Sequence, residues 1–303
     1  MTQNQGRRIG DNSDPAPYDF GGAWQPSEIE LTRRIARKKR NQRNALIAAI
    51  SSAAVLGTLI VVLITSPGWI TLRDTFFDWA YGVEILPKVL LGFTTNITLT
   101  VIAGSSVAVI GLLIALIRTS RTPALTPFRF LAMVYVDVFR GIPMILVILL
   151  IGFGVPALQL RGVTNNVLIL GTIAVIITYS AYVAEVLRSG ILTVHPSQRA
   201  AARSLGLSHF QTLRFVVLPQ AIKRVTPPLL NDLVALIKDT GLISILGVTD
   251  AVRAAQIQTA KTFNYTPYVM AALVFLAITI PLTRATDRML RKSLERQNAQ
   301  GQA

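Results

Sequence analysis

The sequence contains no cysteine, which excludes disulfides, thiolate nucleophiles and thiolate metal sites. Its two histidines, His195 and His209, lie in one polar stretch with no H-E-x-x-H pattern and no second ligand at useful spacing, so a metal site lacks a donor set. No glycine is followed by lysine, so the phosphate-cradling loop G-x-x-x-x-G-K-[ST] is absent and the chain cannot hold ATP by that device. Acidic residues are scarce as well: 15 Asp and Glu stand against 30 Lys and Arg, for a formal net charge of +15.

What the chain does have is long apolar runs. Over 303 residues the mean hydropathy is +0.51, and several stretches reach the ~20 residues that a helix needs to cross a hydrocarbon core. This is the composition of an all-α polytopic membrane protein. The basic excess gathers beside the apolar runs, as expected where Lys and Arg are retained on the cytoplasmic side, and does not form a nucleic-acid footprint. Of the 30 basic residues, 24 fall before the first span, in the intervening inner loops or after the last span; Arg73, Lys88, Arg161, Lys238, Arg253 and Lys261 fall toward the other face. Six spans with both termini in the cytoplasm fit this asymmetry.

Taken in order, residues 1–43 form a polar tail that ends in a basic run from Arg33 to Arg43. Its front is expected to be disordered, and 27–43 to be a solvated tail that fixes topology, with a short helix along anionic lipid as the alternative. A first span over 44–66 stops at Pro67-Gly68, with Trp69 at the interface, and 67–88 reads as an external interfacial segment. The second span, 89–117, is dense in small and hydroxyl residues, so it packs against protein on most sides. Within it, Asn96 and Thr100 are candidates to line a path, although plain packing is the commoner role for such side chains. The third span, 130–154, is broken at Arg140-Gly141-Ile142-Pro143, where proline removes a backbone donor. The fourth runs over 167–187, and there Glu185 and Arg188 share a helical face and can pair. A fifth over 221–237 carries Asp232 and meets Lys238-Asp239, charges that at membrane depth pair or face a cavity; pairing is expected for the last two. The last span is 265–282, ahead of a basic tail over 286–303. No internal repeat suggests two inverted halves.

Between the fourth and fifth spans lies a polar, basic segment, Val194 to Pro219. Ser197 is positioned to cap a short helix through Ser204, and Gly206 supplies a left-handed helix end. Ser208-His209-Phe210-Gln211 reads as a capping box opening a second helix, with Phe210, Leu213 and Val217 on one face and Pro219 interrupting it.

Ala200-Ala201-Ala202, three residues, Gly206, nine residues, and Val216-Val217-Leu218-Pro219 resembles the EAA loop of binding-protein-dependent ABC importer permeases, whose pattern reads E-A-A, x3, G, x9, I-x-L-P. YVDVFRGIP (Tyr135 to Pro143) is similar to the Y-x-x-x-x-R-G-[TI]-P motif of the polar amino-acid permeases. YSAYVAEVLRSGI and LLNDLVALIKDTGLISILGV resemble two further segments of that family, in the right order from about Gly92 onward.

The resemblance implies a type I ABC importer transmembrane domain over 89–285, a five-helix core plus one N-terminal helix. It implies a coupling loop acting through Ser197, Arg199, Ala200, Ala201, Ala202, Arg203, Gly206, Leu218 and Pro219; the polar and charged residues of the spans themselves offer Asn96, Thr100, Asp137, Arg140, Glu185, Lys238 and Asp239 as candidates for a path or gate. Implied partners are two ATP-binding subunits, a second permease in a homo- or heterodimer, an extracytoplasmic solute-binding protein and membrane lipid, with no nucleic acid. The chain then binds no cofactor itself; ATP and Mg act through the ATPase subunits. The setting is a bacterial plasma membrane and the cargo a polar amino acid such as glutamate or glutamine. Ala200 departs from the pattern's glutamate, which at the third helical position would close a capping box with Ser197 and contact the partner. A sister permease that keeps the glutamate is one explanation. Two other classes remain for comparison: a proton-coupled carrier using Asp137, Arg140, Glu185 and Lys238 as a relay, and a non-transporting membrane scaffold.

Overall fold

The computed structural model describes residues 27–120 and 122–301, with side chains described as far as Arg291. The front of the N-terminal tail, residues 1–26, lies outside the described residues. The chain divides into two compact units, 1–69 and 70–303.

The described part of the first unit is essentially one helix, α1 (Glu28–Thr65). Ser27 caps it by accepting a hydrogen bond from the Glu30 amide at 3.3 Å. The basic segment, expected as a solvated tail, and the first span are thus a single helix of 38 residues, about 57 Å at the usual rise, and only its apolar second half matches a hydrocarbon core. It ends where Pro67 follows, because the residue before a proline is driven out of the helical region.

The second unit begins with the short α2 (Trp69–Phe76), which reaches back to residue 69, and continues into α3 (Trp79–Thr119). The helix expected to start near Val89 starts ten residues earlier. Asp78 caps it through its carboxylate and the Tyr81 amide (3.1 Å), and Pro87 is carried inside the helix. Burial on α3 recurs at three- and four-residue steps, through Ile85, Val89, Phe93, Asn96, Thr100, Ala103 and Val107, so one long stripe faces protein. Next come α4 (Thr126–Gly141) and α5 (Met144–Leu149), which continues through a π turn (Leu150–Gly154) into the single turn α6 (Val155–Ala157). The two arms of this span meet at 106° around Ile142-Pro143, as the Gly-Ile-Pro sequence leads one to expect.

The central element is α7 (Val167–Leu192), capped by Asn166 and buried along most of its length. Small residues at Gly171, Ala174, Ser180, Ala181 and Ala184 let neighbours come close. After it come α8 (Pro196–Ser204), α9 (His209–Thr212), a π turn (Leu213–Val217) and α10 (Leu218–Asp239). A 3-10 segment (Thr240–Leu246) leads to α11 (Ala251–Thr262) and α12 (Thr266–Gly301). Helices α3, α7 and α10 build the main core, from Leu99, Ala103 and Val107 to Tyr179, Val183, Val225 and Leu236. A second core joins the start of α3 to α11 and α12 through Ile85, Val89, Phe93, Ala251, Met270 and Val274.

Four described helices are long and apolar enough to span a membrane, and the bent pair makes five. The sixth expected span corresponds to α10. Its 22 residues give about 33 Å, which is enough length, but Lys223, Arg224, Asp232, Lys238 and Asp239 lower its apolarity. Pro219 does not interrupt this helix. It sits at the second position after the π turn, where the shift in hydrogen-bond register absorbs its missing donor, and the backbone is helical from His209 to Asp239.

Helix and backbone pack very closely at Gly92, where a Cβ would lie 2.5 Å from the Asp250 carbonyl oxygen, a main-chain atom with little room to give. Gly92→Ala is expected to destabilise the protein by about 1–3 kcal/mol through backbone overpacking. The readout is a lower melting temperature in detergent; an unchanged one would contradict this approach of α3 to α11.

Candidate functional site

Two regions collect the polar residues that the apolar packing leaves over. The first is the loop between α7 and α10. Here α8 is capped by His195, whose Nδ1 accepts from the Ser197 amide at 3.2 Å and lies 2.7 Å from Ser197 Oγ. Ser197 is therefore the second helical residue and not the cap. Ala200 becomes the fifth position, so a glutamate there could not close a capping box, which needs the third. Proline at the first position of α8 explains the shift, since Pro196 is preorganised for that place, where its missing amide costs no hydrogen bond.

The turn after α8 closes as a Schellman motif. The Leu207 amide donates to the Ala202 carbonyl (3.2 Å) and the Gly206 amide to the Arg203 carbonyl (3.0 Å), with Gly206 at φ +81°. Ser208 and Gln211 then cap α9 reciprocally: the Ser208 amide donates to Gln211 Oε1 at 2.8 Å, and Ser208 Oγ accepts from the Gln211 amide at 3.2 Å. Inside this joint Val217 and Thr212 are buried and Leu213 is half-buried, while Phe210, expected on the same face, is 66% exposed.

The loop is tied to α7 by arginines. Arg199 Nη2 donates to the Ile191 carbonyl and Arg224 Nη1 to the Thr193 carbonyl, so two cations serve the carbonyl-rich end of α7. One turn and a half upstream, Glu185 accepts from Arg118 Nη1 at 2.6 Å and from Arg188 Nε at 3.0 Å. The Glu185–Arg188 pairing expected from spacing is present, and Arg118 adds a cross-link from α3. Arg118 and Arg224 were not among the candidates; the one signal for them is their place beside span ends, which many basic residues share.

The second region follows one face of α10. A cavity of about 420 Å³ is lined by Arg140, Tyr182, Glu185, Ser189, Arg224 and Asp232, among others. A neighbouring cavity of about 260 Å³, mostly apolar, is bounded by Tyr179 and again by Asp232. One oxygen of Asp232 is buried with no hydrogen-bond partner among the described residues. Farther along, Tyr179 donates to Asp239 Oδ2 at 2.7 Å, and Lys238 and Asp239 border a third cavity of about 420 Å³. Lys238 and Asp239 do not pair with each other; among the described residues the ion pairs are Arg34–Glu30, Arg73–Asp74 and the two on Glu185.

Asn96 and Thr100 border none of these cavities. Asn96 is fully buried, donating to Asp250 Oδ2 (3.0 Å) and Thr240 Oγ1 (3.2 Å) and accepting from the Ala251 amide (3.1 Å). Thr100 donates back to the Asn96 carbonyl at 2.8 Å. Both are packing residues that fasten the 3-10 segment and α11 to α3. Asp137 is exposed on α4, apart from Lys238 on the third cavity, and Glu185 is held between two guanidinium groups. The four residues of a proton relay are therefore not assembled. Among the described residues no group of three or more acidic or histidine side chains is arranged to hold a metal ion.

A bundle with a broken span, a central buried helix and a capped polar loop between its fourth and fifth spans is the type I fold of ABC importer transmembrane domains. Residues 108–293 match the family described as binding-protein-dependent transport system inner membrane component, and the chain belongs to that family. Among its relatives, the arginine transport system permease protein ArtQ of Bacillus subtilis is 29% identical over 71% of this chain and 98% of its own. A Rickettsia bellii protein that carries the name of a glutamine transport system permease, GlnP, is 35% identical over 71% and 97%. The crystal structure of an amino acid ABC transporter with histidines superposes with a TM-score of 0.64 at 31% identity, over 71% of this chain and 98% of that one. The inward-facing MetNI methionine ABC transporter matches in fold, with a TM-score of 0.57 at 18% identity over 68% and 96%.

Glu185→Gln removes the charge that joins α3 to α7. The expected loss of stability is below the ~3–5 kcal/mol of breaking a fully buried pair, because the Glu185 side chain keeps 20% of its surface exposed. Thermal unfolding of Glu185→Gln and Arg118→Ala, alone and together, checks it; additive effects would refute a direct coupling.

Proposed function

We propose that this chain is the permease subunit of an ATP-driven importer of polar amino acids, forming half of the translocation pathway and taking its drive from ATP-binding subunits through the 194–219 loop. The reading rests above all on that loop. It presents Leu205 (83% exposed) and Phe210 as apolar tips among Arg203 and Arg214, while its base is tied by arginines to the end of α7. An apolar tip ringed by cations is suited to a groove on a soluble partner, and the ties at its base carry a displacement of α8 into α7 and α10. A ligand-driven change of this kind requires the partner to bind one state of the pair of helices more tightly than the other.

The path runs along the polar face of α10, past Lys238 and Asp239, Tyr179, Asp232, and then Arg140 and Glu185. Asp232 is its centre, since a carboxylate without a partner at membrane depth is costly and is matched by the ammonium group that every amino acid carries. The named cargoes of the relatives, arginine and glutamine, support the amino-acid class, and glutamine or glutamate remains the first choice. The assembly is two ATP-binding subunits, a second permease and an extracytoplasmic binding protein in a bacterial plasma membrane, both termini of this chain facing the cytoplasm. ATP hydrolysis, with Mg, takes place in the partner.

The test is uptake of radiolabelled amino acids into vesicles holding the purified complex, with ligand identified by mass spectrometry of the co-purified binding protein. Uptake that needs ATP and survives a collapsed proton gradient is expected; uptake that follows the gradient overturns the reading. Gly206→Val places a β-branched residue at φ +81° and strains the turn, so ATP hydrolysis is expected to persist while uptake falls. Normal coupling in that variant would remove the loop from the mechanism.

A further inference from the structure

Behind the exposed tip of the coupling loop is a cleft of about 240 Å³. One wall is the face of α8 carrying Pro196, Arg199, Ala200 and Arg203, at helical spacings of three and four; the other is α9 and its π turn, with His209 and Thr212. Two polar atoms of its lining residues are buried without a hydrogen-bond partner: Arg199 Nε and the hydroxyl of Thr212, a residue only 4% exposed. Both can donate. The Arg203 side chain makes no hydrogen bond or ion pair with any described residue. No acidic residue lies anywhere between Glu185 and Asp232, while six basic residues do, so the chain has no local anion to offer the cleft.

We propose that this cleft receives an aspartate or glutamate side chain of the ATP-binding subunit. The proposal rests on the coupling role given above and deepens it by naming the chemistry of the contact. The cleft stays open because Ala200 puts a single methyl group into it. A carboxylate entering there meets Arg199 Nε and the Thr212 hydroxyl as donors, with Arg203 and the His209 ring at the rim. Charge-assisted hydrogen bonds of this kind are the strong ones, and a donor already desolvated gains the most from a partner. Arg199 also ties the contact to the membrane helices, since its other end holds the Ile191 carbonyl of α7. The guanidinium is then a strut between the soluble subunit's carboxylate and the end of the central helix.

The experiment measures binding of the purified ATP-binding subunit to the membrane complex carrying Ala200→Glu or, as a neutral side chain of like size, Ala200→Gln. The glutamate supplies its own carboxylate to Arg199 and Arg203. Binding is expected to weaken by about tenfold or more, and by clearly less in Ala200→Gln, with a shallower salt dependence for the glutamate variant. Equal weakening by both substitutions would show a steric gap only and overturn the proposal. Tighter binding on Ala200→Glu would overturn it too, because the loop would then lack an acidic anchor instead of accepting one. Circular dichroism and melting of each variant complex confirm that the loop is folded. If the unsubstituted complex fails to bind the ATP-binding subunit at all, the coupling role itself falls; if it binds and Ala200→Glu binds as well, only the cleft's role falls.

Discussion

The arrangement depends on how the buried central helix α7 is allowed to end. A helix enclosed by protein for most of its length cannot leave its last carbonyls dry, and a carboxylate near that end cannot remain alone. Four arginines meet both needs: Arg118 and Arg188 on Glu185, Arg199 and Arg224 on the carbonyls of Ile191 and Thr193. These four belong to α3, α7, α8 and α10, so the same contacts that satisfy α7 also gather the core helices and the loop around it. The basic excess of the chain, which first reads as a topology signal, is here also the cement of this end of the bundle.

At the other end the cement is a buried set of hydrogen bonds. Asn96 spends both groups of its amide on Asp250, Thr240 and the Ala251 backbone, and Gly92 one turn earlier removes the side chain that would keep that backbone away. Polar groups in such a place are costly when unpaired and specific when paired, so they fix the register of α3 against α11 where apolar contacts alone would let them slide. The two ends therefore differ in kind, one a charged cluster within reach of water, the other a closed hydrogen-bond set.

Much of this was legible in the sequence wherever the cause is local. The break at Gly141 to Pro143, the left-handed Gly206 and the Ser208–Gln211 capping box all depend on residues within a few positions, and the structure has each. The residues lost to sequence reading depend on distant partners. Asn96 and Asp250 are 154 positions apart and Arg118 and Glu185 are 67 apart, and nothing in the composition of either neighbourhood names the other. Local rules also failed where two of them competed. Ser197 looked like the cap because serine is a good one, but Pro196 fixes the helix start one residue earlier and hands the cap to His195. Pro219 looked like a stop, but a π turn just before it changes the register so that no donor is missed. The polar stretch before Val89 hid a helix start because Asp78 is a cap in the midst of residues that suit an interface.

The helical backbone from His209 to Asp239 has a mechanical consequence. Its 31 residues make a helical run of about 46 Å, from the loop to Lys238 and Asp239 at the far cavity, with a π turn and the internal pair Pro227-Pro228 along it. π turns and internal prolines are the places where a helix bends, so the run carries two joints. Asp232, four residues beyond Pro228, lies past both of them as seen from the loop. The loop and Asp232 are thus joined by unbroken helical backbone with two built-in places to bend, and no segment between them is a coil.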